Sequence, residues 1–113
     1  MQERQIQIYE QVDGKCPFEE WIHGLKDKKA KAVVFQRIDR VRLGNFGDCR
    51  SLRRGVYELK ISWGPGLRVY FGFEGLQIVL LLCGGDKGSQ AKDICRAHQL
   101  WEEFQKNDKK KLR

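Results

Sequence analysis

The chain has 113 residues and a formal net charge of +7. This length, with 41% hydrophobic and 33% charged residues, favours one folded domain over residues 1–113 and excludes a disordered chain. The positive charge indicates a polyanionic partner such as a nucleic acid, a ribosome or an acidic protein, although a protein that is merely basic would show the same balance.

No apolar run is long enough to cross a membrane, since the longest, Leu76 to Cys83, is short and is interrupted by Gln77. The N-terminal residues lack the apolar core of a secretory signal, so we expect a cytoplasmic protein. The four cysteines are Cys16, Cys49, Cys83 and Cys95. They form no C-x-x-C pair and no histidine lies at metal-ligand spacing, so we expect no metal, no cofactor and no disulfide framework.

The first half of the chain predicts a strand and two helices. Gln5–Val12 alternates apolar and polar residues, which is typical of a strand. Pro17 then opens a helix that is expected to run to about Lys26. A second helix is predicted from about Asp27, which can cap it, to Leu43. Because the link between them is so short, the two helices are expected to form a helical hairpin.

A β-hairpin is predicted in the middle of the chain. It follows the segment Phe46–Arg54, which reads as irregular and basic. The alternating runs Gly55–Trp63 and Leu67–Phe73 predict two strands. The Gly-Pro-Gly sequence between them, Gly64–Gly66, strongly favours a turn.

The last part of the chain predicts a central strand and a helix. The run Leu76–Cys83 is apolar on both faces, and after the loop Gly84–Ser89 a helix is expected from about Gln90 to Lys106. The order of elements predicts an α+β fold. Its parts are a mostly antiparallel four-stranded sheet, the N-terminal helical hairpin on one face, and a C-terminal helix.

Strand alternation divides the hairpin between an apolar and a polar face. The apolar face, assigned to the core, holds Tyr57, Leu59, Ile61, Trp63, Leu67, Val69, Phe71 and Phe73. The polar face holds Glu58, Lys60, Ser62, Arg68 and Tyr70. If Gly64–Gly66 is the whole loop, Lys60 pairs with Tyr70, and Ser62 pairs with Arg68. The charged residues and Tyr70 would then share one open surface.

Such a face has the groups that RNA cleavage needs. Arginine offers phosphate oxygens a rigid fork of donors, and positive charge stabilises a phosphorane. A lysine crowded by other cations has a lowered pKa and can act as a base. Tyrosine can stack on a base or hold a phosphate. The alternative is an ordinary solvated sheet face with a Glu58–Lys60 ion pair of little energetic consequence.

Two further features are weaker. His23 and His98 are the only histidines, and with no visible partner they are interpreted as structural or surface residues. The glycine-rich loop Gly84–Ser89 lacks the spacing of a nucleotide-binding P-loop. Its Lys87 can nevertheless reach a backbone phosphate, beside the amide groups of the helix N-terminus that follows.

Two runs together carry a resemblance to a known family. GVYELKISWGPGLRVYF (Gly55–Phe71), followed by LLLCGGDKGSQAKDI (Leu80–Ile94), resembles the RelE/ParE/HigB toxin superfamily, especially its phage-type addiction-module killer protein branch. The resemblance covers nearly the whole chain. It implies a compact α+β toxin of a type II toxin–antitoxin module, held inactive by a cognate antitoxin encoded by the adjacent gene. It also implies an mRNA interferase, an endoribonuclease that cuts messenger RNA on the ribosome.

Carried over residue by residue, the resemblance points to Lys60, Arg68 and Lys87 as the catalytic residues. Arg68 and Lys87 would stabilise the phosphate, and Lys60 would serve as a base or as a third cation, in an attack by the 2′-hydroxyl that needs no metal. Further residues are expected to hold RNA or the ribosome: Arg53, Arg54, Tyr70 and Lys92.

Departures from the family pattern leave alternatives open. Relatives often have arginine where this chain has Lys60, and tyrosine where it has Leu67, so the role of Lys60 as base stays open. The ParE branch of the superfamily inhibits gyrase, which makes a gyrase-inhibiting toxin the first alternative. An RNA- or ribosome-binding protein without catalysis is the second.

Overall fold

The computed structural model describes the backbone of residues 3–111 and the side chains of residues 3–107. The strands are β1 (Gln5–Ile8), β2 (Cys49–Ser51), β3 (Val56–Ile61), β4 (Leu67–Glu74) and β5 (Ile78–Asp86). The α-helices are α1 (Pro17–Gly24), α2 (Lys28–Arg42) and α3 (Gln90–Lys111), and a 3-10 turn at Lys87–Ser89 leads into α3. The strands form one sheet in the order β1-β5-β4-β3-β2.

The predicted four-stranded, mostly antiparallel sheet was wrong, because the sheet is mixed and has five strands. β1 runs parallel to β5, and the other neighbouring strands pair in antiparallel fashion. The additional strand, β2, lies within the segment Phe46–Arg54 that was expected to be irregular. It contributes only Cys49–Ser51, which is too short to show an alternating pattern in the sequence.

The predicted N-terminal helical hairpin was also wrong. α1 lies against β5, whereas α2 lies against β3, so the sheet rather than the neighbouring helix covers each apolar stripe. Phe18 and Ile22 of α1, and Val34 of α2, are buried in one core with residues of the sheet. The predicted cap of α2 is confirmed, since the side chain of Asp27 accepts a hydrogen bond from the Lys29 amide at 2.9 Å.

The two faces of the sheet carry separate cores. One lies under α1 and α2 and includes the predicted apolar face of the hairpin from Leu59 to Phe71, which is thereby confirmed. The other lies under α3 and contains Tyr70 and Leu82 of the sheet with Trp101 of the helix. Helices therefore cover both faces, and the polar face of the hairpin lies on the same side as α3.

Two glycines allow the helices to approach the sheet closely. A Cβ on Gly72 would collide with the ring of Trp101, and a Cβ on Gly84 would collide with the ring of Trp21.

α3 begins at the predicted Gln90 and continues beyond the predicted end at Lys106. No helix in the described part of the chain combines the length and the apolar character needed to cross a membrane.

Candidate anion-binding cleft

The connection between β3 and β4 determines which polar side chains meet. The last paired residues of the hairpin are Ile61 and Leu67, so the loop is Ser62–Gly66 rather than the three-residue turn expected. As a result, Lys60 lies directly opposite Arg68. Directly opposed residues have Cβ atoms about 5 Å apart, so the two cations are immediate neighbours.

The predicted pairing of Lys60 with Tyr70, and of Ser62 with Arg68, was therefore wrong. Tyr70 instead lies opposite Glu58. The register differs from the predicted one by two residues, which leaves each side chain on the face that alternation assigned to it.

The polar face is not the open surface that the sequence indicated. Glu58 is 2% exposed, Arg68 is 6% exposed and Tyr70 is fully buried, whereas Lys60 is exposed. The cause is α3, whose apolar residues, Trp101 among them, need a partner and find it on this face of the sheet. Only the end of the hairpin near Lys60 extends beyond the helix.

Glu58 is the centre of a buried polar network. One of its carboxylate oxygens accepts a hydrogen bond from Arg50 Nε at 2.8 Å, and the other accepts one from Gln90 Nε2 at 2.9 Å. Burial by itself raises the pKa of Glu58, but these hydrogen bonds and the charge of Arg50 outweigh it. The net pKa lies below its usual value, so the carboxylate is charged at neutral pH.

Arg68 lies between this network and the loop of the hairpin. Its Nε is 3.9 Å from Glu58 Oε2, and this buried nitrogen has no hydrogen-bond partner among the described residues. One of its terminal nitrogens lies 3.5 Å from the carbonyl oxygen of Gly66. The same carbonyl accepts a hydrogen bond from the backbone N–H of Lys87 at 3.2 Å. Gly66 thus joins the segment that carries Lys87 to the strand that carries Arg68.

Two cavities that share Lys60 and Arg68 form the cleft. The first, which we call the hairpin cavity, has a volume of about 480 Å³. Its lining side chains include Lys60, Arg68 and Lys87 beside the loop Ser62–Gly66, and no carboxylate. The second, the Glu58 cavity, measures about 390 Å³ and is also lined by Asp48 and Arg50. Three cations without a carboxylate make the hairpin cavity the better place for a phosphate group.

The structure therefore brings the three predicted catalytic residues together. Arg68 is fixed by burial, and Lys60 and Lys87 are exposed on either side of it. In the described part of the chain, no carboxylate oxygen lies within 4.0 Å of either lysine's amine. Their catalytic roles stay a prediction.

The four residues predicted to bind RNA lie outside the cleft. Arg53 and Arg54 form the turn before β3, at the opposite end of that strand from Lys60, and Arg54 is 3.8 Å from Glu102 of α3. At roughly 3.3 Å per residue, the turn is about 20 Å from Lys60. Lys92 lines a separate cavity on α3.

Tyr70 is also unsuited to the predicted contact with RNA as it is placed. Its side chain is fully buried, and its hydroxyl has no hydrogen-bond partner among residues 3–107. Burial and the neighbouring Glu58 carboxylate raise its pKa. Sequence alternation gave the correct face for Tyr70 but carried no information that a helix covers that face.

Arg50, Gln90 and Asp48 were not predicted as site residues. The first two bind Glu58, and all three line the Glu58 cavity. The available signal was weak, because Arg50 stands opposite Glu58 only through the three-residue strand β2. Among the described residues, no group of three or more His, Cys, Asp and Glu side chains is arranged to hold a metal ion.

The fold and the cleft define an α+β protein with a mixed five-stranded sheet, helices on both faces and a cationic cavity at one end of its central hairpin. No protein-family model matches the chain. An uncharacterized protein of Haemophilus influenzae (strain ATCC 51907 / DSM 11121 / KW20 / Rd) is 44% identical to it over 94 residues, which cover 83% of this chain and 95% of the relative. The chain belongs to the same family as that protein.

Proposed function

We propose that this protein is an endoribonuclease that acts in the cytoplasm as the toxin of a type II toxin–antitoxin module and cuts messenger RNA on the ribosome. The observation that carries the proposal is the meeting of Lys60, Arg68 and Lys87 in one cavity without a carboxylate. The resemblance of the hairpin and of the segment after β5 to the RelE/ParE/HigB superfamily supports it, as does the net charge of +7.

The chemistry that suits this cavity is an intramolecular transesterification, in which the 2′-hydroxyl of a ribose attacks the adjacent phosphate of the RNA backbone. The 2′-oxygen forms a bond to phosphorus, the bond from phosphorus to the 5′-oxygen breaks, and negative charge grows on the non-bridging oxygens. Arg68 and Lys87 stabilise that charge. Either neutral Lys60 takes the proton of the 2′-hydroxyl, or a water molecule takes it while Lys60 acts as a third cation. The departing 5′-oxygen receives a proton from solvent water. The products are a 2′,3′-cyclic phosphate and a 5′-hydroxyl end.

The test is induced expression in a bacterial host, with new 5′ ends of transcripts mapped within minutes. We expect 5′-hydroxyl ends inside translated codons. Lys87→Ala should abolish them, and because this side chain is exposed, the variant should remain folded. Lys92→Ala is the matched control, since it removes the same charge from outside the cleft.

Other results would redirect the assignment. Growth arrest with DNA damage and intact transcripts would favour a gyrase inhibitor. Binding to ribosomes with intact transcripts and no arrest would favour a non-catalytic binding protein. Equal cleavage by Lys87→Ala and the wild type would show that the hairpin cavity is not the active site.

A further inference from the structure

One aromatic side chain belongs to the hairpin cavity, although the strand pattern assigned it to the core. Trp63 lies in the loop Ser62–Gly66, and it lines the cavity together with Lys60, Arg68 and Lys87. Its side chain is half-buried: part of it packs on the core under α1 and α2, and the rest is accessible. The hairpin cavity is therefore lined by an aromatic residue as well as by three cations.

Trp63 is also held in place from two sides. Its indole N–H donates a hydrogen bond to a carboxylate oxygen of Asp27, 3.4 Å away, and Asp27 is itself fixed as the cap of α2. Its backbone carbonyl accepts a hydrogen bond from the Gly66 amide at 2.9 Å, which closes the turn. Little further ordering of the ring is needed when a ligand binds, so the contact costs little entropy.

The tip of the loop beside the cavity is open. A Cβ placed on Gly64 would meet no atom within 4 Å. The cavity volume of about 480 Å³ lies in the range of small-ligand sites, roughly 300–1,000 Å³. Aromatic side chains stack on nucleobases of any sequence, and cations beside them hold the phosphate.

We propose that the hairpin cavity is a single-nucleotide subsite, in which Trp63 stacks on the nucleobase of the nucleotide whose phosphate contacts Lys60, Arg68 and Lys87. The inference deepens the proposed function and rests on it for the nature of the natural ligand, an unpaired nucleotide of RNA. It adds a residue that recognises the base, whereas the three cations recognise only the phosphate.

The test compares two ligands that differ only in the base, adenosine 5′-monophosphate and ribose 5-phosphate, in NMR titrations of the whole protein. The wild type should bind the nucleotide about tenfold more tightly, as one stacked base provides. Trp63→Leu, which keeps apolar bulk for the core, should lose that preference and keep its affinity for ribose 5-phosphate. Trp63→Phe should retain most of the preference for the nucleotide. Lys87→Ala should weaken the binding of both ligands.

Urea denaturation of each variant shows whether it is folded, and Trp63→Phe provides a second readout if Trp63→Leu is not. Equal affinity of the wild type for the two ligands, or no binding of either, would overturn the subsite. So would a Trp63→Leu variant that is folded and still prefers the nucleotide. A nucleotide preference without cleaved transcripts in cells would leave the subsite standing and reject the nuclease. Cleaved transcripts without a preference for the nucleotide would reject the subsite and leave the nuclease standing.

Discussion

Gln90, the first residue of α3, donates a hydrogen bond of 2.9 Å from its side-chain amide to Glu58 of β3. Glu58 also accepts a hydrogen bond from Arg50 on the edge strand. One buried carboxylate therefore joins a helix, the central hairpin and β2. Because Arg68 is the other charged residue buried beside it, this junction also determines where that guanidinium lies.

Replacing Glu58 should destabilise the fold. Glu58→Ala leaves Arg68 buried without an opposing charge and deprives Gln90 of its acceptor, which should cost about 1–3 kcal/mol of the free energy of unfolding. Urea denaturation measures this loss. Glu10→Ala, at an exposed position, is the control and should change stability by less than about 0.5 kcal/mol. Equal stabilities of the two variants would show that the network does not support the fold.

The contribution of Glu58 should depend on pH in a defined direction. Its pKa is lower in the folded state than its usual value of about 4.3, so its charged form stabilises the fold above that pH. That stability is lost as the pH falls through the folded-state pKa, where the carboxyl becomes neutral. The stability difference between the wild type and Glu58→Gln should be full at pH 7 and should shrink below about pH 4. A difference that grows on acidification would contradict the lowered pKa.

Cations inside the cleft should matter more for RNA affinity than those outside it. Lys87→Ala should weaken binding of a single-stranded oligoribonucleotide about tenfold and lower the salt dependence by about one phosphate contact. Lys92→Ala and Arg53→Ala remove the same charge from positions outside the cleft and should have smaller effects. Fluorescence anisotropy at several salt concentrations measures both quantities. If Lys92→Ala lowered the RNA affinity as much as Lys87→Ala, the RNA-binding surface would lie on α3.

The close approach of α3 to the sheet should be sensitive to a single methyl group. Gly72→Ala places a Cβ against the ring of Trp101 and should cost about 1–3 kcal/mol. Gly24→Ala is the matched control, because a Cβ at this helical residue meets nothing within 4 Å. It should be neutral or stabilising, by up to about 1 kcal/mol. Urea denaturation measures the free energy of unfolding of both variants. An unchanged stability of Gly72→Ala would show that Trp101 can move aside.

Much of the candidate site could be predicted because its members are close in sequence or in register. Lys60 and Arg68 are brought together by any tight hairpin, and the error of two residues in the register did not change their face. Lys87 follows the strand next to β4, so it reaches the same end of the sheet. None of these inferences needed the rest of the fold.

The remaining errors arose from contacts between segments that are distant in sequence. The three residues of β2 carry too little pattern to indicate a strand, and without them Arg50 has no visible link to Glu58. The burial of Tyr70 depends on where α3 packs, which its apolar stripe does not specify. Trp63 packs on the core as alternation predicted, but the strand ends at Ile61, and alternation did not indicate that Trp63 also lines the hairpin cavity.

The parallel pairing of β1 with β5 has a consequence for how the molecule is made. Gln5 lies opposite Ile78, so β1 has to wait for the synthesis of β5 before it can enter the sheet. Contacts between residues so far apart in sequence slow folding, because a long stretch of chain has to close first. The cleft also forms late, because Lys87, which lines the hairpin cavity, follows β5 and must first leave the ribosome. A chain interrupted before that point would have the hairpin cations but no completed cavity.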